Sequence, residues 1–417
     1  VRRTPAFLAA LCGLLAVFLI ALATQAAAAE LRCPTLQARL VRGGGAASGL
    51  LVIDGETGRP LCARAAKRRR PLASNMKLFT TATALARLGP QARIATTVET
   101  DGTVDRNGVL HGSLYLVGGG DPTLGTPSFY RRFLGGLGTD VFQLKAQVRE
   151  AGIEAITGRL YADDSVFDRL RGVADSGYAT SSYIGPLSGL SFNSGYSSAA
   201  ATGFASDPAR TAAATLARSL RAAGVRVPAR VALATAPPAA KAVASVESPP
   251  LTQIVNTTDV YSHNFFAEML IKLLGARFGG AGTTAAGAGV VERFARGHGS
   301  AVRAVDGSGL TRSNRASPAQ VVALLDAMDE TPAGEEFIQD LALTGREGTV
   351  ADRMHGTAAF GRCRTKTGTL TGVSNLSGYC FNRSGHLAIF SILMGSVYDL
   401  GLAHYEQDQI AAEIASY

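Results

Sequence analysis

The sequence predicts an α+β protein: helices packed on an antiparallel sheet, with a large inserted β-rich region of one or two domains. Three observations carry this reading. A β-rich pair of runs at 48–63 is followed by a helical pattern. Three strand-like runs and a last helix close the chain. Between these pieces the pattern changes, from about 91 to 250. The chain has 417 residues, more than one compact core usually supports.

The elements follow in order. Gly49-Leu50-Leu51-Val52-Ile53-Asp54 is a strand, Gly55–Pro60 a turn, and a second short strand follows. A helix begins near Ser74, with Leu78, Phe79, Ala82, Leu85 and Leu88 at helical spacing, and Gly89-Pro90 stops it. Residues 95–100 and 113–117 read as strands, and 141–151 and 208–223 as helices. Residues 233–250, rich in Ala, Pro, Val and Ser, read as a domain connector. Helical spacing returns at Leu251 and continues through Phe265, Met269 and Leu273. Residues 362–369, 374–382 and 386–395 are strand-like, and 402–417 is the last helix. The expected organisation is therefore 30–95 and 251–417 as one composite domain, with 96–250 inserted.

Residues 1–29 read as an export signal. Arg2 and Arg3 precede an uncharged run from Pro5 to Ala29 that ends in four alanines suited to cleavage. An uncleaved anchor is the alternative, since the run nearly spans a bilayer. The small residues at its end favour cleavage. Cys12 follows Leu11 inside the apolar run, which excludes a lipoprotein cysteine. The expected location is the periplasm or cell-wall space. Cys33, Cys62, Cys363 and Cys380 remain, an even number that suits disulfides in an exported protein. The favoured pairs are Cys363 with Cys380, across neighbouring strands, and Cys33 with Cys62; buried free thiols are the alternative. No pair has zinc-like spacing, so neither a metal nor another cofactor is expected.

The formal net charge is +9. Lys67-Arg68-Arg69-Arg70 is either a solvated loop or an attraction to an anionic cell wall or membrane surface. Aromatic and basic residues do not interleave, which argues against nucleic acid.

Three short strings carry the chemistry: Ser74-Asn75-Met76-Lys77, Ser262-His263-Asn264 and Lys366-Thr367-Gly368-Thr369. On a helix Ser74 and Lys77 share a face. A lysine whose pKa is lowered by burial and by a second cation, Lys366, can take the serine proton. The helix N-terminus directs N–H groups toward a developing oxyanion. In a turn, Ser262 and Asn264 both reach one cleft: Ser262 to pass a proton to a leaving amine, Asn264 to hold Lys77 or a substrate amide. His263 is read as a bystander. No Gly-x-Ser-x-Gly elbow surrounds a serine, which argues against a Ser-His-Asp hydrolase. On a strand, Thr367 and Thr369 face opposite to Lys366 and Gly368. Hydroxyls and a cation suit a terminal carboxylate, and Gly368 admits a substrate backbone.

In this order the strings resemble the penicillin-recognising acyl transferases. Gly119-Gly120-Asp121-Pro122-Thr123-Leu124 and Asp306-Gly307-Ser308-Gly309-Leu310-Thr311-Arg312 extend the match. So does the long insertion between the first two strings. The chain resembles the class C low-molecular-mass penicillin-binding proteins, the D-alanyl-D-alanine carboxypeptidase/endopeptidase group. The resemblance implies a transpeptidase domain like that of the serine β-lactamases, with Ser74 as the acylated nucleophile and Lys77 as its base. It implies Ser262 and Asn264 as the second catalytic element, and Lys366, Thr367 and Thr369 as the carboxylate-binding strand. The N–H groups of Ser74 and Thr369 would form the oxyanion hole. An acid of the insertion, matched at Asp163, and Arg312 would bind the stem peptide. His263 departs from the family's usual Asp or Asn. The implied partners are peptidoglycan stem peptides, with β-lactams as covalent inhibitors. A β-lactamase and a wall-binding scaffold are the competing readings. The long gap between Ser74 and Ser262 disfavours the first, and three intact motifs disfavour the second.

Overall fold

The computed structural model describes residues 31–417. The expected export signal lies outside the described residues. Helix α1 (Cys33–Gly44) leads into the hairpin β1 (Gly49–Asp54) and β2 (Pro60–Arg64), and helix α2 (Met76–Leu88) follows. Residues 95–247 contribute β3 (Ala95–Thr100), β4 (Leu114–Gly118), α3 (Gln143–Glu150), β5 (Leu160–Asp163), α4 (Pro208–Ala222), β6 (Ala232–Leu233) and β7 (Lys241–Glu247). The last part brings α5 (Leu251–Val260), α6 (Asn264–Phe278), α7 (Thr284–Gly297), α8 (Pro318–Asp329) and β8 (Ala342–Leu343). It ends with β9 (Cys363–Leu370), β10 (Val373–Phe381), β11 (Leu387–Gly395) and α9 (Leu400–Ser416).

One sheet joins both ends of the chain. Its six strands run β8-β9-β10-β11-β1-β2, and every neighbouring pair is antiparallel. Alternate side chains of β11 enter different cores. Phe390 and Ile392 pack with Leu36, Leu40 and Ile410 of α1 and α9. Ile389 and Leu393 pack on the other face with α2, α5, α6 and α8. A sheet covered on both faces buries successive residues, which is why β11 reads as a continuous apolar run. Arg39 and Arg42 of α1 bind buried Glu406 of α9 at 3.1 and 2.9 Å, fastening the two helices together. Disulfides join Cys33 to Cys62 and Cys363 to Cys380; the second pair stands directly opposite across β9 and β10.

The second sheet runs β6-β5-β4-β3-β7. It is mixed: β5 is parallel to both neighbours, while β3 is antiparallel to β4 and β7. Only alternate residues, among them Leu114, Leu116, Leu160 and Ala162, enter a core with α3 and α4. One helical layer therefore covers one face.

Two expectations are corrected. Residues 241–247, read as part of a connector, form the edge strand β7, paired with β3 from Lys241↔Thr100 to Glu247↔Ala95. Its inward residues include Ala244 and Val246, and small alanines leave a faint alternation. Arg70, read with Lys67 to Arg69 as either a solvated loop or an attraction to an anionic surface, is buried. Its guanidinium donates to the carbonyls of Ala47, Ala65, Arg68 and Ser48. Among the described residues no helix is long and apolar enough to cross a membrane.

Candidate active site

Ser74 sits in a single 3-10 turn, Ala73–Asn75, that runs into α2. Ala73 is held at φ 47°, a left-handed conformation that costs a residue with a Cβ about 1–3 kcal/mol. The surroundings enforce it. Asn75 Nδ2 donates to the Lys366 carbonyl (2.8 Å), and Ser377 Oγ donates to Asn75 Oδ1 (2.8 Å). Asn375 Nδ2 donates to the Leu72 carbonyl (2.8 Å). Two glycines close on the turn. A Cβ on Gly368 would stand 3.1 Å from Ser74 N, and one on Gly309 would stand 1.8 Å from the Ala73 carbonyl oxygen. Gly368 thus admits the backbone of the Ser74 turn, a close approach that the sequence reading gives to substrate.

Lys77, one turn along α2, is fully buried. Its ammonium reaches Ser74 Oγ at 3.0 Å, Asn264 Oδ1 at 2.8 Å and the Ser308 carbonyl at 2.8 Å. Burial first, and the Lys366 charge second, lower its pKa to about 7. Lys366 is buried on β9, and burial lowers its pKa to about 8.

The Asp306–Asn314 loop presents the Ser308 carbonyl. Asp306 accepts from the N–H groups of Gly309 (2.7 Å) and Thr311 (2.9 Å). Asn314 donates to Asp306 (2.7 Å). Glu268 of α6 accepts from the N–H groups of Gly307 and Ser308 at 3.1 and 2.7 Å. Burial, then the neighbouring Asp306, raises the Glu268 pKa to about 7.

Ser262 joins α5 to α6 at φ 57°. Asn264 follows, its Nδ2 donating to the Tyr183 carbonyl (3.1 Å). His263 caps α6, its Nδ1 accepting from Phe266 N (3.4 Å). Desolvation, then the Lys77 charge, lowers the imidazole pKa to about 4, so the ring is neutral at pH 7. It lines cavities other than the one holding Ser74.

A cleft of about 720 Å³ holds Ser74, Ser262, Asn264, Thr367, Gly368 and Thr369. Thr367 Oγ1 donates to Thr349 Oγ1 (2.8 Å) on its wall. Arg312 does not line the cleft, but its guanidinium donates to the carbonyl of Thr371, which does. The expectation for Asp163 is not met by its position. It is buried at the end of β5, and its oxygens accept from Ser165 N (2.9 Å) and Ala236 N (2.7 Å). The acid lining the cleft is Asp175, which accepts from Thr311 Oγ1 at 2.6 Å. It lies in an irregular stretch with no periodicity to mark it. Asp259, Glu268 and Thr349 were also missed; Glu268 lies four residues after Asn264 on α6, but its burial is a tertiary property.

The model of the D-Ala-D-Ala carboxypeptidase 3 (S13) family matches residues 35–206 and 198–415. A D-alanyl-D-alanine carboxypeptidase of Actinomadura sp. (strain R39) is 32% identical, over 89% of this chain and 82% of that protein. Penicillin binding protein 4 of Haemophilus influenzae superposes with a TM-score of 0.76 at 20% identity, over 93% of this chain and 100% of that one. The predatory peptidoglycan endopeptidase Bd3459 of Bdellovibrio bacteriovorus gives 0.56 at 18% identity, over 88% and 92%. At these identities the two structures show the shared fold.

Proposed function

The chain belongs to the D-Ala-D-Ala carboxypeptidase 3 (S13) family, and from that premise we propose that it is a serine-type D,D-peptidase of peptidoglycan working through an acyl-enzyme on Ser74. One observation carries the residue assignment: the Lys77 amine lies 3.0 Å from Ser74 Oγ while bound to Asn264 and Ser308. With the amine neutral, its two N–H groups serve those two acceptors and its lone pair faces the serine hydroxyl. A pKa of about 7 suits a base at neutral pH.

Ser74 Oγ attacks the carbonyl carbon of the penultimate D-alanine, and its proton passes to Lys77. The tetrahedral oxyanion rests on the N–H groups of Ser74 and Thr369. Collapse breaks the C–N bond. Ser262 relays a proton to the departing amine, which is either terminal D-alanine or the amine of a D,D-crosslink. Lys366, Thr367 and Thr369 hold the terminal carboxylate, and Asp175 with Arg312 faces the stem peptide. Water then hydrolyses the ester. A β-lactam acylates the same serine and stays, since its leaving group remains tethered. The N-terminal apolar run and the cell-wall substrate together support an exported enzyme.

The test is to incubate the protein with a labelled penicillin and map the adduct by mass spectrometry. A stable adduct on Ser74, lost in Ser74→Ala, is expected. A folded protein with neither adduct nor β-lactam turnover refutes the reading.

A further inference from the structure

Asn264, Glu268 and Lys272 stand four residues apart on α6 and so share one face of the helix. Asn264 accepts from the Lys77 ammonium, and Glu268 holds the loop that carries Ser308. Lys272 has no part in either task. It is fully buried, on a helix whose Phe265, Met269 and Leu273 enter the apolar core. A buried ammonium is costly to desolvate, and an apolar side chain of similar volume would fill the space without that cost. The charge therefore calls for a reason in what it touches.

Its hydrogen-bond partners are the Asp168 carboxylate and the Leu170 carbonyl (2.9 Å), 104 and 102 residues earlier in the chain. Both open the stretch 168–184, which supplies Val173, Asp175, Ser176, Ser181 and Tyr183 to the wall of the Ser74 cleft. Its one regular element is the 3-10 turn Ala174–Ser176, so its path depends on ties to its surroundings. Asp175 accepts from Thr311 Oγ1 at 2.6 Å in the middle, and the Tyr183 carbonyl accepts from Asn264 Nδ2 at 3.1 Å near the end. At the start, Asp168 N donates to the Gly282 carbonyl (3.0 Å). A Cβ on Gly282 would stand 1.8 Å from the Val166 carbonyl oxygen, so backbone meets backbone beside the ion pair.

We propose that Lys272 is a positioning residue for substrate choice: through Asp168 it fixes where the 168–184 wall stands, and so how tightly the cleft takes a stem peptide. The inference rests on the D,D-peptidase reading of Ser74. Lys272 makes no hydrogen bond to Ser74, Lys77 or Ser262, so a ligand too short to lie along the wall is indifferent to it.

The test uses three ligands: labelled penicillin, the short thioester N-benzoyl-D-alanyl thioglycolate, and a synthetic stem pentapeptide ending in D-Ala-D-Ala. Lys272→Met is expected to raise KM for the pentapeptide at least about tenfold with kcat within about threefold, the signature of lost binding. Penicillin acylation and the thioester constants, per penicillin-titrated site, stay within about threefold of wild type. Asp168→Asn should do the same, and the double variant no more than the worse single, because both substitutions break one pair. A merely structural role lowers the number of titrated sites and moves both substrates together. Where Lys272→Met takes up no penicillin, Asp168→Asn, whose side chain is partly exposed, carries the same expectation. An unchanged pentapeptide KM in a penicillin-competent variant overturns the proposal, as does an equal rise for the thioester or a double variant whose effects multiply. A wild type that penicillin labels but that leaves the pentapeptide intact also overturns it. A folded wild type with neither label nor β-lactam turnover refutes the D,D-peptidase reading itself.

Discussion

Replacing Asp259 by Asn tests how buried charge tunes the base. Asp259 is fully buried in the last turn of α5. Neither carboxylate oxygen has a hydrogen-bond partner; the neighbouring Thr81 hydroxyl donates to the Lys77 carbonyl instead (2.7 Å). Burial raises the Asp259 pKa to about 6, so it is mostly ionised at pH 7. Its charge raises the pKa of Lys77 and of Lys366. Asn keeps the volume and removes the charge, so the Lys77 pKa should fall below about 7. Lys366 falls too, which weakens its own push on Lys77. At pH 6 Lys366, starting from about 8, still stays mostly charged, so the direct effect wins. A fall of roughly one unit, about 1.4 kcal/mol, raises the neutral fraction of Lys77 at pH 6 from about a tenth to about a half. Acylation by a fluorescent penicillin should then quicken about two- to fivefold at pH 6, less than the full amount because Asp259 is already about half protonated there, and hardly change at pH 8. The assay is the second-order acylation rate across this range. A midpoint that stays put or moves to higher pH refutes the reasoning.

Three further outcomes are expected. Lys77→Ala should slow acylation about 10²–10⁴-fold in a folded protein, measured by penicillin labelling, because the base is gone. Gly309→Ala places a methyl 1.8 Å from the Ala73 carbonyl oxygen at φ +87°. It should lower the Tm and displace the Ser74 turn, with labelling lost together with roughly 1–3 kcal/mol of stability or more. Asp340 is buried, and burial raises its pKa to about 7. A carboxyl raised in this way stabilises the fold most below its unfolded value near 3.8 and loses that contribution as pH climbs through about 7. Asp340→Asn should therefore gain on the wild type between pH 5 and 8, by up to about 2–3 kcal/mol, read from urea unfolding at each pH.

The sheet strands and the three strings that meet at one cleft were legible because their signals are local. A fixed spacing puts Lys77 one turn after Ser74, and β-branched and aromatic runs mark β9 to β11. What was hidden depends on tertiary approach. Arg70 looks like its neighbours Arg68 and Arg69 until four carbonyls close around it. Asp163 and Asp175 are equally polar in sequence, and only the meeting of Thr311 with residue 175 separates them. The Asp306–Arg312 string was noticed as a resemblance. Its physical work, turning the Ser308 carbonyl toward Lys77, depends on Glu268 from another helix.

The pairing of β1 with β11 has a temporal consequence. The Asn75 amide that secures the Ser74 turn bonds a carbonyl 291 residues later in the chain, and β1 lacks one neighbour until β11 arrives. During synthesis, Ser74 emerges long before the strand that shapes its turn, and the intervening insertion can gain its own core first. The serine should stay chemically silent until the last strands dock. Penicillin labelling would then act as a clock for completion of the fold, marking finished molecules and passing over nascent ones.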